Sequence, residues 1–552
     1  MRSVAVFGAG VAGLSAAHEF ARLGYKVSVY EANHDAGGFF RSARVPEHEG
    51  MPSEYSWHGF GPWYHNVFDV MKQIPFDETG SVYDKGLSRP IDFGIAPDRG
   101  RVEFKDSWPL PVAKMLRMSR WESLCWGWLM LKAWAANRRS LEHYSRLNAA
   151  KQWEPILSDM GWKTWRATFG PWVGSDWTNV SLHQVGQFFR KILITEPSHC
   201  HAADEEGPGW KHGSGDGWLV LRGPSSECWF DKWVDHLEKN GVDFFWKLPL
   251  HRLDFDGKHI TAAHLESGVA IKADIYVLAT NPFAAADILE RTPELAQDDE
   301  LRKFRPLTQD GAHTQVSFRI AFSEKIHWPR KRAAIIVADS EFNLTIFAQE
   351  QAWRPEVSLG VGVKSLWTGT ACVGKVPGRI HGLPVVECSK EQFIEEAIAQ
   401  LLSCKGLDLL IKEANAGRGL ETFPIVRVEV WHEWIFSPTG LKPYQPKWVT
   451  TTNTQPYQPK QATSVPNLVL AGAHTETAAD VWSIEGAVES GRLAAKAIEP
   501  RVEVFRQYKP LWLRFLAAVD DAAFKVGAPH ILILLAGFSI VIAILAGLRI
   551  MS

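Results

Sequence analysis

Apolar and polar positions at the N-terminus fall into a strand–helix–strand rhythm. Val4 to Phe7 is a short apolar run, and Gly8-Ala9-Gly10-Val11-Ala12-Gly13 follows at once. Leu14 to Leu23 then places Leu14, Ala17, Phe20 and Ala21 on one helical stripe, which Gly24 is positioned to end. Lys26 to Tyr30 alternates as a second strand and stops at Glu31. Two further apolar runs lie far downstream. Asp274 to Ala279 predicts a strand closed by Thr280-Asn281-Pro282. Asn467 to Ala473 predicts another, followed by His474-Thr475-Glu476-Thr477 and a small-residue helix from Ile484 to about Ile498.

Two stretches break this rhythm. Trp108 to Trp134 is dense in tryptophan and leucine, with Arg117, Arg120, Lys132, Arg138 and Arg139 around it. It fits either a buried helical hairpin or a monotopic element lying against a membrane. From Ile531 to Leu548 the chain carries no charge; as a helix this run rises about 27 Å, close to the roughly 30 Å hydrocarbon core of a bilayer. A buried terminal helix is one reading. A single-pass tail anchor is the favoured one, with the bulk of the chain on the cytoplasmic side, because only Ser539 is polar within the run. Tyr508 to Phe515 mixes aromatics with Lys509 and Arg514, as at a headgroup boundary. At the other end, Met1 and Arg2 run directly into the first strand, so no removable leader is expected.

Composition narrows the classes. The 552 residues suggest several globular units, and 46% hydrophobic residues supply a large core. A net charge of −2 argues against a dedicated nucleic-acid binder. None of the six cysteines forms a C-x-x-C pair, so neither a zinc ribbon nor a disulfide framework is expected. His199-Cys200-His201 lacks a second ligand set, and metal binding is not expected. Gly213 to Gly217 lacks the Lys-Ser or Lys-Thr of a phosphate loop and reads as a turn. The 25 tryptophans against 10 tyrosines suit a membrane interface or a large apolar pocket.

The N-terminal glycines have separate tasks. Gly8 permits a tight turn, Gly10 lets the backbone approach a pyrophosphate, and Gly13 lets helix and strand pack closely. Glu31 is placed for the adenosine ribose hydroxyls and would repel a 2′-phosphate. Gly37-Gly38 offers a second close approach of backbone to ligand, and the helix opening at Ile484 a second N-terminus for a polar group.

Gly8 to Gly13, Glu31, Gly37-Gly38, Arg41-Ser42, Gly61-Pro62 and Leu470 to Gly491 together resemble the flavin-containing amine oxidase superfamily. That group includes amine oxidases, protoporphyrinogen oxidases and phytoene-type desaturases. The resemblance implies FAD, held by Gly8, Gly10, Ala12, Gly13, Glu31, Gly38, Arg41, Ser42, Gly61, Leu250, Gly472, Glu476 and Ile484. Leu250 matches an adenine-contacting aliphatic residue, and Val242 to Leu250 looks like the family's central strands. Departures matter as much. Phe39 stands where a basic residue is usual, and Phe318, on the strand Val316 to Phe322, where amine oxidases carry a lysine beside the flavin. Ser483 replaces their aromatic, and Ser483-Ile484-Glu485-Gly486-Ala487-Val488 is similar to plant-type phytoene desaturases.

These readings predict an α/β protein: a Rossmann-type FAD-binding domain from 1–85, 205–290 and 440–500, a discontinuous α+β substrate domain from 86–204 and 291–439, and an amphipathic segment with a transmembrane tail at 501–552. The expected activity is dehydrogenation of an apolar isoprenoid or carotenoid-like lipid by hydride transfer to flavin, with quinone or oxygen as electron acceptor. His474 is the candidate base. Amine oxidation, a non-redox lipid isomerisation and a flavin-bearing carrier are the alternatives.

Overall fold

The computed structural model describes residues 1–104, 116–173, 177–194, 218–309, 315–329, 332–372, 374–438 and 440–537. A five-stranded parallel sheet is assembled from distant stretches, in the order Asp243–Phe245, Lys26–Tyr30, Ser3–Phe7, Ile275–Leu278, Leu468–Leu470. The central strands are buried on both faces, as apolar runs covered by helices must be. A three-stranded antiparallel sheet (Leu250–Phe255, Ile260–Leu265, Ala270–Ile271) lies beside it in sequence. The larger sheet has seven strands, ordered Ile425–Val430, Val316–Phe322, Ser365–Ala371, Thr345–Ala348, Ala334–Val337, Phe93–Ala96, Glu103–Phe104.

Two helices close over the parallel sheet against each other. Val11–Arg22 starts three residues earlier than the stripe alone suggests, directly at the glycine loop, and Ile484–Ile498 packs along it. Glycine makes that approach: a Cβ at Gly491 would lie 2.3 Å from the Ala12 carbonyl oxygen. Gly13 is equally constrained, since a Cβ there would lie 1.9 Å from the Gly8 oxygen. Glu485, fully buried in the first turn of the second helix, accepts hydrogen bonds from Asn66 N at 3.1 Å and Val67 N at 3.0 Å. These are orphan amides at the start of helix His65–Gln73. Burial pushes Glu485 up to about 7.

The tryptophan-rich stretch resolves into helix Arg120–Trp134, capped by Ser119 and Glu122. Trp126 and Met130 face inward, while Trp121, Leu124 and Trp128 stay exposed. This helix meets the C-terminal segment. Leu513 and Leu532 join Ala135 in one apolar cluster, with Leu131, Trp134 and Leu516 against it. Arg139 pairs with the buried Asp520 at 3.0 Å, and His530 Nε2 donates to the Lys132 carbonyl at 3.0 Å. Helix Leu511–Lys525 leaves Leu511, Trp512 and Phe515 exposed, and Ile533, Leu534 and Leu535 follow. No helix among the described residues is long and apolar enough to cross a membrane. Of the expected span 531–548, residues 531–537 are helical and the rest lies outside the described residues. So do Trp108 to Pro111, His199-Cys200-His201 and Gly213 to Gly217. Among the described residues no cluster of metal-ligating side chains occurs.

Candidate active site

A cavity of about 420 Å³ opens where the parallel strands end and the two helices begin. Gly8, Gly10, Ala12, Glu31, Gly38, Leu250, Gly472, His474 and Ile484 all line it, although they come from five separated stretches of chain. Gly8 adopts φ +109, and a Cβ there would lie 2.6 Å from the Ala279 oxygen, so the turn admits only glycine. Gly10 faces Gly38 across a parallel bridge between residues 10 and 37. The helix that Gly10 begins has no side-chain cap and no acidic residue in its first turn, which leaves its amides available to an anion. Glu31 is buried; its Oε2 accepts from Ala9 N at 2.6 Å and its Oε1 from Asn33 N at 2.9 Å. The acid is thereby fixed at the strand end where a ribose would lie. These residues fit an adenine dinucleotide.

Five of the expected ligand residues do not line the cavity. Gly13 sits inside the helix–strand contact described above. A Cβ at Gly61 would meet the Trp63 ring, so Gly61 accommodates that indole. Arg41 is a buried strut: it pairs with Glu433 and with Asp35 at 3.3 Å, and donates to the Gly38 oxygen at 2.8 Å, bracing the glycine pair from behind. Ser42 exchanges hydrogen bonds with Ser226. Glu476 is exposed, and its backbone amide donates to the Pro459 oxygen.

His474 is also corrected. Its ring packs edge-on against Phe304 at 5.5 Å and Trp448 at 6.1 Å, and burial lowers its pKa to about 3. An imidazole so reluctant to take a proton makes a poor base at neutral pH. It stays neutral and wedges the turn at Gly472, where a Cβ would lie 2.2 Å from the ring.

The far end of the cavity is aromatic. Trp63 stands 5.3 Å from Trp218 and 5.9 Å from Phe188, nearly perpendicular to both. Phe39, Phe40, Tyr55, Trp57, Tyr64 and Trp482 complete the wall. Phe318 does not belong to it. Its ring points to the opposite face of the strand, against Phe393 at 5.5 Å, and the residue from this segment that lines the cavity is Gln315. A lysine nevertheless enters. Lys447 is 1% exposed; its Nζ lies 4.2 Å from the Tyr55 ring centre and 4.8 Å from that of Trp482, and donates to Gln315 Oε1 at 3.4 Å. Burial lowers its pKa to about 7. The sequence reading missed it. The signal was there: Lys447 is the only charged residue between Pro443 and Pro459, and it is flanked by Pro446 and Trp448.

Comparison with known proteins adds family and fold. The family model described as flavin containing amine oxidoreductase matches residues 11–499. A search of curated protein sequences found no match. Among solved structures, putrescine oxidase bound to putrescine aligns with a TM-score of 0.60 at 14% identity, covering 91% of this chain and 99% of that one. Cyclohexylamine oxidase from Brevibacterium oxydans aligns at 0.55 and 16%, covering 90% and 98%. An oxidoreductase from Methanosarcina mazei aligns at 0.57 and 13%, covering 90% and 100%. At such identities the likeness is one of fold.

Proposed function

The chain belongs to the flavin containing amine oxidoreductase family, and within that family we propose that it is a membrane-associated, FAD-dependent dehydrogenase of an apolar, isoprenoid-type lipid. The observation that carries this reading is the position of Lys447. Two aromatic faces make a receptor for an ammonium group. Here the chain's own amine already stands between Tyr55 and Trp482. Among the described lining residues Glu31 is the only carboxylate, and it serves the dinucleotide end. An amine substrate finds neither an open cage nor a counter-charge, whereas a hydrocarbon finds an aromatic wall.

Bound FAD supplies the two-electron oxidising power. The residues of the chain do the rest. The glycine loop and Glu31 hold the dinucleotide, and the walls of Trp63, Phe188 and Trp218 orient an apolar chain and exclude water. The ring faces ease positive charge developing on carbon as an allylic hydride departs. A quinone or oxygen takes the electrons afterwards. Access from a membrane is supported by the exposed Trp121, Leu124, Trp128, Trp512 and Phe515, on two helices whose Leu131, Trp134 and Leu513 pack together with Leu532.

Amine oxidation is the second reading, favoured by the description of the matching family. Anaerobic mixing separates the two. Polyenes in detergent should bleach the flavin and simple primary amines should not. Bleaching by amines alone overturns the proposal.

A further inference from the structure

Helix Leu182–Leu193 supplies Gln184 and Phe188 to one wall of the cavity, and segment 481–484 supplies Val481, Trp482, Ser483 and Ile484 to another. A line of polar side chains joins the two. His183 Nε2 donates to Asp480 Oδ2 at 2.5 Å, because a carboxylate only accepts. The Nδ1 of the same ring meets the Ser140 hydroxyl at 2.7 Å. Resting on the function proposed above, we infer that His183 is a positioning residue: by gripping Asp480 it locks the two walls relative to each other, and so sets how an apolar chain lies against the flavin.

Serine, histidine and aspartate in hydrogen-bonded order have the composition of a nucleophilic triad, but Ser140 is fully buried and neither it nor His183 lines the cavity. The line holds shape instead, and its grip falls on a backbone that needs holding. Asp480 adopts φ +49, a left-handed conformation that a residue with a side chain keeps only where its surroundings over-determine it. The residues before it are pinned as well. Glu489 accepts from Ala478 N and Ala479 N, both at 2.8 Å, and Lys191 Nζ donates to the Ala479 oxygen. Lys191 and His183 belong to the same helix, so that helix holds the turn at two points. From the turn the chain passes directly into Val481 and Trp482, which line the cavity. His183, Lys191 and Glu489 are all buried, where water does not compete for their hydrogen bonds. Apolar residues of similar volume often pack such a contact with no loss of stability. Hydrogen bonds add direction, and direction is what a wall carrying Trp482 requires.

Substitutions in the full-length holoenzyme test the inference. His183→Ala removes the grip from one side. Asp480→Gly removes it from the other while suiting φ +49, so it decides the case should His183→Ala fail to fold or to keep FAD. Asp480→Asn keeps both an acceptor oxygen and a tolerance for the left-handed turn. The first readout needs no turnover: circular dichroism of the flavin band at about 450 nm, which reports the asymmetry around the bound ring. His183→Ala and Asp480→Gly should alter it alike at parental FAD content, and Asp480→Asn should keep the parental signal. The second readout is anaerobic single turnover with a polyene. His183→Ala and Asp480→Gly should each lose about 10²-fold in limiting bleaching rate, the cost of a misplacement of about 1 Å. The double variant should fall within about twofold of either, since the same bond is lost in all three. Parental dichroism in Asp480→Gly, or single losses that multiply in the double variant, overturns the inference. Loss of FAD from Asp480→Gly overturns it too, because the grip would then hold the cofactor and not the walls. So does a lowered Tm in His183→Ala with dichroism and rate unchanged, the mark of a structural role alone. A parent bleached by amines and not by polyenes overturns the dehydrogenase reading, and the dichroism still decides the role of His183.

Discussion

Single residues decide whether this cavity can hold its cofactor. Gly10 meets only the Gly38 Cα, 3.9 Å from where its Cβ would lie, so the backbone tolerates a methyl but the ligand space does not. Gly10→Val should yield a folded, colourless protein; undiminished 450 nm absorbance per chain would contradict the pyrophosphate assignment. His474 gives a second residue-scale prediction. Its folded pKa, about 3, lies below its ordinary value of 6.5, so its contribution to stability is full above pH 6.5 and is lost as pH falls toward 3. His474→Gln should flatten the loss of unfolding free energy on acidification between pH 6 and 4, by up to about 1.4 kcal/mol per pH unit. An unchanged slope in denaturant titrations would refute the neutral buried imidazole. Residue identity alone misled at Arg41. An arginine after a glycine pair reads as a ligand group, but its carboxylate partner, Glu433, comes from a distant part of the chain.

Elements whose shape is set locally were legible in the sequence. Lys26–Tyr30 lies where its alternation puts it, and Ile484–Ile498 where its run of small residues does, because the signals sit within the element itself. The strand Val316–Phe322 was legible too, but not which side faces the cavity. With a two-residue side-chain period, a slip of one residue exchanges the two faces. Ser317 and Arg319 point toward Glu54, and Phe318 points away. Helix Arg120–Trp134 has Trp126 and Met130 in the core and Trp121, Leu124 and Trp128 exposed. Two predictions belong here. Gly491→Ala pushes a Cβ into the Ala12 carbonyl and should cost about 1–3 kcal/mol with a lowered Tm; an unchanged Tm would show that the helices have slack. Trp121→Glu with Trp128→Glu should reduce co-sedimentation with liposomes without altering flavin content. Equal sedimentation would contradict the proposal that these tryptophans meet a membrane.

At the scale of the molecule, the cavity exists only when both ends of the chain meet. Residues 8 to 12 and the helix from Ile484 share one floor, and segment 445–448 bridges from it to the aromatic wall. The resemblance revealed the dinucleotide half because its glycines are position-specific. Lys447 stayed hidden because its neighbours, Tyr55, Gln315 and Trp482, are brought together only by tertiary contacts. The central claim is that this flavoprotein removes two hydrogens from an apolar lipid, and product mass tests it most directly. After one anaerobic turnover with a polyene in detergent, the extracted lipid should be lighter by two hydrogens for each flavin bleached. A lipid of unchanged mass, with the flavin still oxidised, would contradict the account and point to isomerisation.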